Sequence, residues 1–157
     1  MNLKAWFNTF HLESIRLGPH WANAEINFIE NDKDAAWELY IEMLTRIVTQ
    51  PLPSEAGDQK TALDSVYSLF PTTREILRRR GRQTIQFSKI AIPVLNQLVR
   101  PFTAKWHREN LTGAFECDEK RNRFRQELED LQTELRNYNR MLANIAEVED
   151  LTDLEMV

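Results

Sequence analysis

The stretch from Asp118 to Val148 constrains the fold more than any other part of this chain. Phe124, Leu128, Leu131, Leu135, Tyr138, Leu142 and Ile145 follow one another at alternating steps of four and three. Nearly every position between them carries a charged or amide side chain. An α-helix turns once in about 3.6 residues, so this spacing draws one apolar stripe along one side of a long helix. Such a helix must lay its stripe against other helices, in its own chain or in a partner.

The remaining sequence points to the same class. With 157 residues the chain is about one domain with a single core. Four glycines among many Leu, Glu, Arg and Gln disfavour a turn-rich β fold. A second helix is predicted from Asn31 to about Gln50, with Asn31 or Asp32 as cap and Asp34 in the first turn. Its apolar face reads Ala36, Trp37, Tyr40, Ile41, Leu44, Ile47 and Val48, and Pro51-Leu52-Pro53 stops it. Ser54 to Lys60 is a polar loop.

Leu63, Val66, Phe70 and Leu77 mark a third helix, which Pro71 should interrupt, with Thr72 or Thr73 restarting it and Gly81 capping its end. Phe87, Ile90, Ala91, Val94, Leu95, Leu98, Phe102 and Trp106 mark a fourth, bent or split by Pro93 and Pro101. Asp118 should cap the final helix. Leu3, Phe7, Phe10 and Ser14 could line a helix face, yet Ile15 and Leu17, then Ala24, Ile26 and Phe28, alternate as strands do on either side of the Gly18-Pro19 turn. The expected fold is mainly α: a single domain, 1–157, built as an antiparallel bundle of four principal helices over 31–148. Residues 1–30 form a short extended arm or β-hairpin, and 149–157 an acidic, solvating tail.

Charge is unevenly spread. Residues 61–125 carry thirteen Lys/Arg against six Asp/Glu, a net of +7, while residues 126–157 carry a net of −7. A basic middle between acidic flanks means either a polyanion site or helices that pair by opposite charge inside one bundle. Arg78, Arg79, Arg80 and Arg82 sharpen the question. Guanidinium groups bind phosphate in bidentate fashion, yet cations also collect at helix C-termini to meet the negative end of the dipole. Arg74, Lys89, Arg100, Lys105 and Arg108 would widen a patch if they shared a face.

Reactive chemistry has little to stand on. Arg100 to Arg108, with a proline in a helical pattern and then Lys105-Trp106-His107-Arg108, is the most unusual segment, but His107 lacks an identifiable partner base or nucleophile. Cys117, His11, His20 and His107 are not at zinc-ligand spacing, and no Glu-x-x-His pair suggests a carboxylate metal site. No catalytic, cofactor-binding or metal residues are assigned, and no cofactor is expected. A single cysteine, the absence of a signal-peptide pattern over Met1 to Leu17 and the absence of a long apolar run lead us to expect a cytoplasmic protein with no membrane partner.

Trp37-Glu38-Leu39-Tyr40-Ile41-Glu42, Leu63-Asp64-Ser65, Thr73-Arg74-Glu75-Ile76-Leu77 and above all the Pro101-Phe102-Thr103-Ala104-Lys105-Trp106-His107 run resemble a group of uncharacterised bacterial helical proteins. The resemblance covers most of residues 30–150. Some such domains look similar to components of multi-gene bacterial conflict or antiphage systems, which implies a discrete accessory domain and carries over no catalytic residues. The function expected is a non-enzymatic protein–protein interaction module, docking on a larger protein effector or self-associating through its helices. Its candidate contacts are Arg78, Arg79, Arg80, Arg82, Lys105, Trp106, His107 and Arg108. A nucleic-acid-binding domain using residues 74–125 is the alternative.

Overall fold

A computed structural model describes residues 1–156 as a helical bundle; Val157, the last residue of the expected tail, lies outside the described residues. In chain order the α-helices are α1 (Leu3–Thr9), α2 (Pro19–Ala22), α3 (Glu30–Leu44), α4 (Gln59–Tyr67), α5 (Leu69–Arg80), α6 (Ile85–Val94), α7 (Arg100–Asn110) and α8 (Asp118–Ala146). A 3-10 turn, Gly81–Thr84, joins α5 to α6, and a π-helical turn, Leu95–Val99, joins α6 to α7.

All seven residues of the α8 stripe are buried. Each such side chain withdrawn from water contributes on the order of 1.5–3 kcal/mol. Pairs along the neighbouring helices show that they run antiparallel. Lys33 of α3 meets Glu147 beyond α8 at 2.9 Å, while Gln132, a turn earlier in α8 than Leu135, donates to the carbonyls of Ile47 and Gln50 at 2.6 and 2.8 Å. Lys105 of α7 meets Glu127 of α8, and Glu109 meets Lys120. The expected bundle therefore stands, with α4–α5 and α6–α7 each acting as one principal helix.

Several boundaries differ from the sequence reading. Helix α3 ends at Leu44, not Gln50. The β-branched run Thr45, Ile47, Val48 and Thr49 is a weak helix former. The hydroxyl of Thr49 donates to the Met43 carbonyl at 2.6 Å and the Gln50 amide to that of Leu44 at 2.9 Å, satisfying the helix end. The buried face of α3 is Ala35, Ala36, Leu39, Tyr40 and Met43; Trp37 and Ile41, expected in the core, are each 43 % exposed. The break between α4 and α5 falls at Ser68, three residues before Pro71. Pro71 then occupies the first turn of α5, where its missing N–H costs nothing.

The prolines of the fourth helical segment do not cut it: Pro93 lies within α6 and Pro101 in the first turn of α7. Between Pro93 and Pro101 the ladder widens to the π pattern, with the Arg100 N–H donating to the Leu95 carbonyl. Widening relieves the clash that Pro101 would otherwise make with the preceding turn.

At the N-terminus the hairpin is reduced to one antiparallel bridge, Asn2 with Glu25. Residues 3–9 form α1 instead, capped by the Asn2 side chain, and bury Leu3 and Phe7; Leu12, Ile15 and Ile26 follow them into the core. Nor is the acidic segment wholly solvated. The Tyr40 hydroxyl donates to the Glu149 carbonyl at 3.0 Å and accepts from the Leu151 N–H at 2.7 Å. Asn139 donates to the buried Thr152 hydroxyl, and Arg140 grips Asp153 through both carboxylate oxygens at 2.7 and 2.8 Å.

One buried carboxylate ties the two sides of the bundle. Asp32, fully buried, accepts from the Ile29 N–H at 3.0 Å and from the Phe87 N–H at 2.9 Å. It thereby serves the N-termini of α3 and α6 together, where unpaired N–H groups and the helix dipole both favour negative charge. The N-cap of α3 is Ile29, not Asn31 or Asp32, and Asp32 acts from the third helical position.

Candidate interaction surface

The arginine run splits in two. Arg79 and Arg80, on the last turn of α5, reach the same carboxylate of α3. Arg79 bonds one oxygen of Glu38, Arg80 bonds the other at 2.7 Å, and Arg80 also lies 3.6 Å from Asp34. The hydrogen bond from Arg79, joined by that from Arg80 and opposed by partial burial, holds the Glu38 carboxyl below its ordinary range. The same contact raises Arg79. These two arginines clamp α5 to α3, as opposite charges inside one bundle do. Arg78 and Arg82 are exposed and have no carboxylate partner among the described residues.

The Lys105–Arg108 run is likewise divided by the helix that carries it. Trp106 is buried, stacked on Phe115 with ring centres 6.0 Å apart and edge-on to Phe124 at 5.3 Å. It is a core anchor between α7 and α8. Lys105 is paired to Glu127 at 2.5 Å. His107 is half-buried, edge-on to the Tyr67 ring at 5.2 Å and 3.9 Å from Asp64, whose carboxylate is already bonded by Lys60 at 2.7 Å. That contact packs α7 onto α4. Arg108 is exposed. The eight candidate residues thus do not form one patch.

A different face gathers what they were expected to supply. Helix α6 is apolar on two sides. Phe87, Ile90, Ala91 and Val94 face the core, whereas Ile85 and Ile92 are 58 % and 51 % exposed. Beside them Trp21, from α2, is 49 % exposed. Together with Leu3, Leu17 and Pro93 these residues line an open trough of about 350 Å³, bordered by Arg16 and Lys89. The Lys89 ammonium lies 5.3 Å from the Trp21 ring centre, within cation–π range. One wall is fixed from below: the Gln97 side chain accepts from the Arg16 N–H and donates to the Arg16 carbonyl, each at 2.8 Å.

Ile92 is shared with a second, smaller trough of about 270 Å³ between α5 and the α6–α7 junction. Its floor is Phe70, and two guanidinium groups approach that ring, Arg100 at 4.5 Å and Arg74 at 5.6 Å. Among the described residues no carboxylate lines either trough. Arg16, Lys89, Arg74 and Arg100 are also without an ion-pair partner there.

Trp21, Ile85 and Ile92 did not stand out in the sequence. The available signal was the excess of apolar residues in α6, more than one buried face needs. No helix among the described residues is long and apolar enough to cross a membrane. No protein family, no curated protein and no solved structure matches this chain.

Proposed function

We propose that this chain is a non-enzymatic helical interaction module, an accessory or regulatory subunit that docks on a larger protein of a bacterial complex of the antiphage kind. The long stripe of α8 is consumed within the bundle and offers nothing to a partner. The observation that carries the reading is the half-exposed trio Trp21, Ile85 and Ile92 around one trough. Single exposed apolar residues are ordinary on protein surfaces, but a contiguous apolar depression rimmed by charge is a feature of contact sites.

The test is expression of the full chain in its native setting, alone and as the Ile85→Ser/Ile92→Ser double variant. A protein that copurifies in fixed stoichiometry, and rebinds after separate purification only to the unaltered chain, supports the reading. A strict monomer by light scattering with no stoichiometric companion overturns it.

The unpaired cations favour a second reading, nucleic-acid binding through Arg74, Arg78, Arg82, Lys89 and Arg100. Each phosphate contact on duplex DNA would then add a slope of about −0.9 to log affinity against log salt. Gel shifts that show nothing at low salt dispose of it.

A further inference from the structure

Resting on the reading of the α6 face as a docking surface, we propose that its occupant is an acidic amphipathic segment of the partner protein. Its apolar side chains would enter the trough beside Trp21, and its carboxylates would meet Lys89 and Arg16 on one flank of Ile92 and Arg74 and Arg100 on the other. Three observations select this chemistry.

First, the cations at this face lack counter-ions. Many cations of the basic middle are matched inside the chain: Arg79 and Arg80 by Glu38, Lys105 by Glu127 and Lys120 by Glu109. The four that rim the α6 troughs have no carboxylate partner among the described residues, Lys89 bonding the neutral Gln86 and Arg100 the neutral Asn96. Two of them share the Phe70 ring, so like charges are held near each other with no counter-ion in place. A carboxylate entering that trough would meet positive charge with no acidic residue in its lining to oppose it.

Second, the surface is concave and its wall is preset. The Gln97 side chain holds the Arg16 backbone within this chain, so the main chain of that wall is already placed. A concave trough admits side chains one at a time, whereas a lipid surface takes up protruding apolar groups.

Third, Ile85, Lys89 and Ile92 recur at four and three along α6. At about 1.5 Å per residue the two isoleucines stand roughly 10 Å apart, the separation of apolar positions two turns apart on a docking helix.

The experiment is selection of a displayed helical peptide library on the full chain, with fluorescence anisotropy of the enriched peptides. Enriched sequences should carry Leu, Ile, Phe or Met at helical spacing among Asp and Glu. Their affinity should fall about tenfold or more on Ile92→Glu or Lys89→Glu. A peptide with its facing Glu changed to Lys should regain affinity for the Lys89→Glu chain, which loss of folding cannot mimic. Enrichment of neutral or basic peptides, or binding indifferent to Ile92→Glu, overturns the proposal.

So does a dimer that Ile92→Glu dissolves, which would hand the trough to a second copy. Binding of phosphatidylserine vesicles or single-stranded DNA with the same residue dependence, in place of peptides, overturns it equally. A stoichiometric partner captured through Ile85 and Ile92 that presents no acidic segment there sinks the charge assignment alone. The docking reading would survive that result.

Discussion

Helices α8 and α6 are both rich in apolar residues, and they put them to different use. In α8 the apolar positions form one stripe, and each of its seven members is buried. In α6 the core takes Phe87, Ile90, Ala91 and Val94, while Ile85 and Ile92 stand half-exposed on the other side. A helix inside a bundle needs one apolar face, and a residue beyond that face gains nothing from the fold. The period located the buried stripe in α8, whereas in α6 the apolar residues outnumber what one buried face takes up.

The sharpest test of that contrast is truncation in each helix. Leu135→Ala should lower unfolding free energy by about 2–5 kcal/mol, since it removes buried methyl groups and leaves a cavity. Ile92→Ala should change it by less than about 0.5 kcal/mol. Urea denaturation followed by circular dichroism reads both. Equal losses would erase the distinction between the helices.

Next in size is Asp32→Ala, which strands the N–H groups of Ile29 and Phe87. The buried Phe87 donor left unpaired costs about 1–3 kcal/mol and the part-buried Ile29 donor less, so a loss on the order of 2–3 kcal/mol is expected by the same assay. Tyr40→Phe should be milder. It removes the two bonds that hold Glu149 and Leu151, each worth about 0.5–1.5 kcal/mol. Hydrogen exchange at the Leu151 amide should accelerate while amides in the middle of α8 stay protected; a uniform rise across the chain would contradict this local role.

Two carboxylates, one paired and one not, give the smaller effects. Because the Glu38 carboxyl is held below its unfolded value, its contribution is present above about pH 4.3 and is lost as pH falls through the lower folded value. Glu38→Gln should therefore cost under about 1 kcal/mol at neutral pH and little below that window. Glu134 should behave in reverse. Burial, with Glu13 nearby, raises its carboxyl, so the ionised form weighs against folding at neutral pH. Glu134→Gln should raise stability there by a few tenths of a kcal/mol and leave it unchanged in acid. A loss at pH 7 would show that the carboxylate has an unrecognised partner.

The parts legible in sequence were those set by local pattern. The α8 stripe, the Gly81 cap, with its positive φ, and the bundle as a whole all follow from spacing and turn chemistry. Trp37 misled because it repeats in step with Tyr40 and Leu44; the face that α8 covers is rotated toward Ala36, Leu39 and Met43. Pro71 misled because a proline reads alike in a helix interior and in a first turn, and only the break at Ser68 tells them apart. The arginine run could not be divided from sequence, since the residue that divides it, Glu38, lies some forty positions away.

What the amino-acid order settled by itself is the mainly helical class, the long final helix and its burying stripe, because hydrophobic period acts over a few residues. Which cations are neutralised, which apolar residues remain in water and where Asp32 spends its two acceptors were decided only by packing. Those outcomes depend on which helix faces meet, a choice made by the summed burial of the whole chain and written in no single segment.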